Sequence, residues 1–544
     1  MSFCHLHLHS AYSFLDSTLR IEEIVDLALK HKMPAVALTD TNGLYGAVAF
    51  YKACREAGIK PILGAEIDDP HTHERAVVLA RNFAGYSALC ALLTRRHMGA
   101  RWDARTHNGA TGLAEFEAAE NDEPMFRGLN AEREPHSHNA LAPEDVAFDL
   151  REELRATSSD HLVILTDAPR LIEALAGRPW LYAELIVTPA RRRLCRELYD
   201  KALHLGVPLV ASGDVHFATT ADHATYRILR AIHYGATVDR LRSDQTPRQR
   251  DSAHEQARPF PILPTDHAFE DDARMRARFK GLREAVDATA AIAEACTCEL
   301  PLGQWKIPRP PQPDGQTPLV ALRKIAIEGI KQRYRPLARP AIDRLRRELE
   351  VIDRLGFCDY FLTVHAIAQA ARRRGFPILG RGSGANSIVS YALGFTGVDP
   401  IRHDLYFERF LNPQRSVPPD IDLDFAWQDR DEILDWTYQT FGRDRVAMIC
   451  ATVTLQGRQA IREVGKALGL AEREVNRFTR PMPGYFLRHE LDADLPAAYP
   501  ECRGLPIDEE PWRTVLGHAR RIIDLPRHLS IHCGGILIAP EPIT

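Results

Sequence analysis

Asp420, Asp422 and Asp424 alternate with Ile421, Leu423 and Phe425 in the run PDIDLDF. Side chains alternate faces along a strand, so three carboxylates line one face and three apolar residues pack behind. Carboxylates crowded on one face repel one another unless cations sit between them. Oxygen ligands without His or Cys suit magnesium, which is held by a few carboxylates plus substrate phosphates. Upstream, Gly380-Arg381-Gly382-Ser383-Gly384 opens an apolar segment of helical character. Backbone N–H groups in a glycine loop at a helix start form a phosphate cradle. Taken singly, a glycine loop is a turn and an Asp-rich strand end is a solvated edge. Together, with Arg381, Arg409 and Arg415 between or beside them, they describe a pocket for a polyanion. A phosphate cradle followed by a metal-binding strand reads as a two-metal phosphoryl-transfer site.

A second group of ligand-type residues lies near the start. His5, His7 and His9 share a strand face at i, i+2 and i+4 and can point together at a metal. The competing account is a surface strand with solvated histidines. Further ligands recur at strand ends, however: Asp40 after PAVALT, Glu66 in KPILGAEI, and Asp214 and His216 in LVASGDVHF.

The elements that must position these residues follow from periodicity. Residues 1 to about 100 alternate apolar strands with amphipathic helices, which predicts a parallel sheet or barrel whose site lies at the strand C-termini. A polar insertion at about 99–145 reads as a surface loop, and its His136 and His138 are better explained as solvated than as ligands. Alternation resumes through HLVILTDAPRLIEALAG and LYAELIV, and the barrel is expected to close near 240. The run PLGQWKIPRPPQPDGQTP is a linker. Basic helices follow at about 317–375, where Lys331, Arg333, Arg335, Arg339 and Arg372 to Arg374 are candidate phosphate-backbone contacts or a solvated face. Residues 430–520 are mostly helical, with Arg458, Arg462 and Lys466 at helical spacing.

At 544 residues the chain is expected to hold three or four domains. Hydrophobic residues make up 45% and charged residues 26%, as in soluble globular proteins. A net charge of −4 means that any nucleic-acid contact must use locally concentrated basic residues. Ten cysteines are scattered, and Cys296-Thr-Cys298 is too tight for a zinc knuckle, so reduced thiols are expected. No signal peptide or membrane-length apolar run stands out, which predicts a cytoplasmic protein.

GRGSGANS, PIRHDLYFERFLNPQR and PDIDLDF resemble the palm of the bacterial DNA polymerase III alpha subunit, the C-family polymerases. The N-terminal segment resembles the polymerase and histidinol phosphatase (PHP) domain that opens the same family. The resemblance implies a PHP (β/α)7 barrel, then an incomplete DNA polymerase beta-like nucleotidyltransferase palm and a helical thumb. It divides the chain into 1–300 (barrel), 301–316 (linker), 317–444 (palm, first part), 445–525 (thumb) and 526–544 (start of the palm return strand).

It implies further that Asp420 and Asp422 bind the catalytic Mg2+ ions, with Asp424 in support. Arg381, Gly382, Ser383, Arg409 and Arg415 would hold the nucleotide, and Arg458, Arg462 and Lys466 the DNA. In the barrel the metal ligands would be His7, His9, Asp16, Glu66, Asp214 and His216, for Zn2+ or Mn2+. Thr41, Arg75 and Val187 or Thr188 stand where a complete PHP site has imidazoles, so the site is degenerate and exonuclease activity is not expected. The implied partners are primer–template DNA, a dNTP and other polymerase subunits, with no membrane.

The implied reaction is attack of a primer 3′-hydroxyl on the α-phosphate of a deoxynucleotide. RHLSIHCGG is closer in wording to the error-prone branch. The family's third catalytic aspartate and its fingers lie beyond the segment in hand, so the expectation for residues 1–544 alone is DNA binding without synthesis. Two alternatives share these residues: a non-catalytic DNA- or partner-binding fragment, and a PHP phosphoesterase with accessory helices.

Overall fold

The computed structural model describes residues 2–98, 148–157, 160–243, 260–310, 316–412, 414, 418–483 and 499–543. The expected polar insertion, with His136 and His138, lies outside the described residues, as does Arg415. Two compact units result: 1–300 with 451–530, and 301–450 with 531–543.

The first unit opens with α1 (Ile21–Lys30), β1 (Ala35–Leu38), α2 (Ala47–Glu56), β2 (Lys60–Asp68), β3 (Arg75–Ala80) and α3 (Phe83–Met98). It continues with α4 (Leu150–Ala156), β4 (Leu162–Thr166), α5 (Pro169–Leu175), β5 (Leu181–Ile186), α6 (Arg192–Leu205), β6 (Leu209–Ser212) and α7 (His223–Tyr234). The strands form one sheet in the order β1-β2-β3-β4-β5-β6. AVAL and LVILT are buried along their whole length, as expected of strands covered on both faces.

The pairing is not uniformly parallel. β3 runs antiparallel to both β2 and β4. Asp69 is the reason: its side chain accepts the N–H groups of His71 (2.9 Å) and Thr72 (2.7 Å) and folds a tight turn. That turn makes β2 and β3 a hairpin where a helix crossover was expected.

Closure also comes earlier than expected. Ala37 N–H donates to His5 O (2.9 Å), while His9 N–H donates to Val215 O (2.9 Å) and Val215 N–H to His7 O (3.2 Å). The N-terminal segment thus lies between β1 and the residues just after β6. The short pair β7 (Leu241–Ser243) and β8 (Phe260–Ile262) forms a separate sheet, and α8 (Asp272–Arg278) and α9 (Arg283–Ala295) follow.

The second unit holds α10 (Pro318–Arg333), α11 (Arg339–Arg354), α12 (Cys358–Arg373), β9 (Ile378–Arg381), α13 (Ile388–Leu393), β10 (Asp422–Phe425) and α14 (Trp427–Phe441). β9 and β10 pair antiparallel, with Asp422 opposite Arg381 and Asp424 opposite Leu379. α13 is capped by the Ser387 side chain, which accepts the Ser390 N–H, and ends at Gly394 in the left-handed conformation. Arg372, a candidate DNA contact, instead donates to Leu393 O (3.0 Å) and to Gly394 O. It satisfies the carbonyls that α13 leaves open.

β11 (Val446–Thr454), α15 (Gly457–Ala467), α16 (Glu472–Thr479), α17 (Trp512–Ile522) and β12 (Pro526–Ile538) complete the chain. The helical segment expected as a thumb of its own shares a core with the barrel. Ile461 and Val464 of α15 and Leu516 of α17 pack with Tyr226 and Leu229 of α7. Burying such side chains stabilises by roughly 1.5–3 kcal/mol each. An amphipathic pair of helices therefore gains most by docking on the apolar face of α7.

His365 on α12 yields a pH dependence. Burial, and next the charge of Arg372, lower its imidazole from the usual 6.5 to about 4. Between those values the unfolded chain binds the extra proton, so stability rises with pH across that window. Acidification from pH 6.5 to 4 is expected to cost on the order of 2 kcal/mol through this group. Urea unfolding over that range checks it: His365→Gln should reduce the slope by that amount while the buried His5, His9 and His267 keep theirs, and a profile parallel to wild type contradicts the assignment.

Candidate active site and metal centre

The barrel centre is built from the ends of several strands. His7, His9, Glu66 and Asp214 bring one donor atom each within 4.8 Å of one another, all buried. His7 Nε2 lies 3.0 Å from His9 Nε2, 3.3 Å from Glu66 Oε2 and 3.4 Å from Asp214 Oδ1. The outer ring nitrogens are taken up, His7 Nδ1 by Glu184 Oε1 (2.7 Å) and His9 Nδ1 by Ser13 Oγ (3.0 Å). That arrangement turns both Nε2 atoms inward, as metal-binding imidazoles require. Burial lowers the His9 imidazole to about 4. Burial acts on His7 in the same sense, but Glu184 and Asp214 outweigh it and hold His7 well above its usual value.

Other predicted ligands stand apart or beside. Asp16 accepts from the Tyr226 hydroxyl (3.1 Å) and pairs with Arg230 (3.1 Å), so α7 holds it out of the cluster. His216 sits next to the cluster, stacked on His9 at 4.2 Å and bonded to Asp214 Oδ1 through Nε2 (3.1 Å). His5 turns to Glu270 O (2.8 Å) and packs against Phe269. Asp40 binds the hydroxyls of Ser10 (2.8 Å) and Ser13 (2.7 Å). Burial raises its carboxyl to about 6.

Arg75 has the largest effect on this centre. Its guanidinium reaches Glu66 Oε2 (2.6 Å), Asp214 Oδ2 (3.1 Å) and Asp167 Oδ2 (3.3 Å). Burial would raise these carboxyls, but Arg75 overrides it and holds Glu66 and Asp214 well below the usual carboxylate range. Asp167, which also pairs with Arg191, is brought down to about 2. The residues present fit one ion on the His7, His9, Glu66 and Asp214 donors. They do not fit a cluster of ions, because a fixed cation stands where further ligands would be needed. Thr41, where the resemblance leads one to expect an imidazole, places its hydroxyl 3.3 Å from Glu66 Oε1 and 3.4 Å from His9 Nδ1.

Asp167 and Glu184 escaped the sequence reading. A signal was present for Asp167: ILTD at the end of β4 repeats ALTD at the end of β1. Glu184 was a lone acid in an apolar strand.

In the second unit the carboxylate alternation is visible directly. Asp420, Asp422 and Asp424 are exposed, while Ile421 and Leu423 pack against the core below. The Tyr360 hydroxyl lies beneath, bonded to the Ile421 backbone. Burial first, then the charges of Asp420 and Asp422, raise it to about 12. Gly382 has φ +72°, and a Cβ there would lie 3.4 Å from Asp422 Oδ2. The glycine loop therefore abuts the aspartate face.

One expected feature differs. Gly382–Asn386 is a 3-10 turn, and the helix begins only at Ile388. Gly382 and Ser383 sit at the end of β9 and not at a helix N-terminus. Arg381 pairs with Asp424 (2.8 Å) across the strand pair. Arg409 is exposed on the turn Phe407–Arg409, which packs beside the glycine turn. On α15, Arg458 and Arg462 are half-buried and Lys466 is exposed; Arg462 lies 3.9 Å from Glu472. Among the described residues, no helix is long and apolar enough to cross a membrane.

Residues 5–123 match the PHP domain family, and residues 320–544 match the bacterial DNA polymerase III alpha NTPase domain. The error-prone DNA polymerase of Symbiobacterium thermophilum is 33% identical over 553 residues, covering 100% of this chain and 48% of that protein. DNA polymerase III subunit alpha of Bacillus subtilis is 31% identical over 557 residues, covering 100% of this chain and 45% of that protein. Among solved structures, an amidohydrolase from Chromobacterium violaceum matches 39% of this chain and 87% of that one at 19% identity, with a TM-score of 0.24.

Fold and site together define a PHP barrel joined to a polymerase-type NTPase module. Residues 320–544 belong to the bacterial DNA polymerase III alpha NTPase domain family and residues 5–123 to the PHP domain family, and both named relatives align along the whole chain. It spans about half the length of the curated relatives it matches.

Proposed function

We propose that this chain carries part of the nucleotidyl-transfer machinery of a DNA-directed DNA polymerase, acting in the cytoplasm on primer–template DNA and a dNTP. The observation that carries the reading is the exposed aspartate face of β10 lying against Gly382. Asp420 and Asp422 would hold Mg2+. The donor set fits, because both carboxylates are exposed on one face and Gly382 leaves the space beside Asp422 open. Bound Mg2+ supplies charge neutralisation and acidifies the attacking hydroxyl.

The chain's own residues do the rest. Backbone N–H groups around Gly382 and Ser383 orient the triphosphate, and Arg409 adds positive charge to its rim; Arg415, outside the described residues, is a further candidate from the sequence. Arg381 holds Asp424 and so keeps the third carboxylate from competing. Arg458, Arg462 and Lys466 contact DNA phosphates, so binding to duplex DNA should weaken steeply with salt. We read the barrel as a scaffold with room for one ion, Zn2+ or Mn2+ by its imidazole and carboxylate donors, and not as a nuclease.

The reading is tested by titrating the chain with a fluorescent dNTP in Mg2+. The Asp420→Ala, Asp422→Ala double variant is expected to lose Mg2+-dependent binding. Wild-type affinity in that variant overturns the proposal.

A further inference from the structure

A buried ion pair stands behind the glycine turn and is joined to it by a chain of hydrogen bonds. Glu348 on α11 is fully buried. Its Oε1 accepts from Arg344 Nε at 2.9 Å. Its Oε2 accepts from Ser387 Oγ at 2.7 Å and from Val389 N at 3.2 Å. Arg344 also donates, through Nη2, to Asn386 O at 2.8 Å. Asn386 Nδ2 in turn donates to Ser383 O at 3.0 Å. One end of this chain is rooted in α11, and the other ends on a residue of the turn that faces Asp422.

Two consequences follow. At the start of α13 the Val389 N–H is taken by Glu348 and the Ser390 N–H by Ser387 Oγ, so an anion beside Asp422 must be held by the exposed half of the turn, at Gly382 and Ser383. The position of that half is set by the bonds to its other end. A buried ion pair is also a poor choice for stability alone, since apolar residues of similar volume commonly serve as well or better. What it adds is fixed geometry, which a site for a triphosphate needs to within a fraction of an ångström.

We propose that Arg344 and Glu348 are positioning residues for nucleotide binding, acting through Asn386 and Ser387 on the Gly382–Ser383 turn. This rests on the reading of that turn as the phosphate site.

The test uses the full chain, a fluorescent dATP in Mg2+, and thermal melting to confirm folding. Asn386→Ala and Arg344→Met cut the chain at partly exposed residues and should fold. Each is expected to weaken dATP binding by roughly tenfold or more. Glu348→Ala should do the same. Glu348→Gln keeps the volume and an oxygen for Ser387 and Val389 but turns its amide NH2 toward Arg344 Nε–H, donor against donor, so it is expected to weaken dATP binding as well, which a loss of packing alone would not produce. Affinity for primer–template DNA should not change in any of the four. If Asn386→Ala and Arg344→Met bind dATP within twofold of wild type while Gly382→Val does not bind, the positioning role is wrong and the phosphate site stands. If Gly382→Val binds as wild type does, the phosphate site itself is wrong and the positioning role falls with it.

Discussion

Arg75→Ala is expected to destabilise the barrel unit by about 3–5 kcal/mol, the range for removing one partner of a buried ion network. Glu66 and Asp214 are buried and face the guanidinium at 2.6 and 3.1 Å, and Asp167 is shared between Arg75 and Arg191. Without Arg75 the acids at the centre lose their main fixed counter-charge. Two responses are open: the carboxyls take up protons, or the centre recruits a cation.

The second response makes the prediction specific. His7, His9, Glu66 and Asp214 already converge within 4.8 Å. Zn2+ or Mn2+ should therefore raise the melting temperature of Arg75→Ala far more than that of wild type. A ligand that binds only the folded state at a hundred times its Kd stabilises by about 2.7 kcal/mol. Thermal melts in chelator and in added Zn2+ or Mn2+ provide the measurement. Equal metal-induced shifts in the two proteins, or an Arg75→Ala melt in chelator that matches wild type, would show that Arg75 does not stand in for a cation.

The second large effect is expected at Gly382, where valine should reduce dNTP affinity roughly 100-fold or more by displacing two charge-assisted contacts. The backbone there has φ +72°, and the added Cβ would stand 3.4 Å from Asp422 Oδ2. A β-branched side chain would fill the space between turn and carboxylate. The left-handed backbone costs a non-glycine residue about 1–2 kcal/mol, which an exposed turn can absorb without unfolding. Gly380, two residues earlier, is the contrasting control, because a Cβ there would lie 1.9 Å from Phe395 O. Gly380→Ala should therefore lower the melting temperature sharply, whereas Gly382→Val should melt near wild type and fail to bind. Unchanged nucleotide affinity in a folded Gly382→Val protein removes the phosphate-site reading.

The sequence by itself determined whatever depends on spacing within one element. Alternation along PDIDLDF sufficed to expose Asp420, Asp422 and Asp424 and to turn Ile421 and Leu423 inward, because a strand has a period of two. Strand–helix alternation marked the barrel, and the proline-rich run near 301 marked the change of unit. Imidazoles and acids at strand ends pointed to His7, His9, Glu66 and Asp214.

Tertiary structure decided what depends on which distant elements meet. Asp16 has the same chemistry as Asp214, yet Tyr226 and Arg230, more than two hundred positions away, remove it from the cluster. Glu348 lies on a helix of mixed charge, where spacing alone gives it no distant partner. Only the packing of α11 against α13 turns it into the anchor of the glycine turn. Arg75 shows the difference most sharply. From the family resemblance an imidazole was expected at its position; in the fold it is a cation shared by Glu66, Asp214 and Asp167. Periodicity fixes the face a side chain points from, but the sign and number of the charges it meets come from strands far apart in sequence, and at a buried centre those charges decide the chemistry.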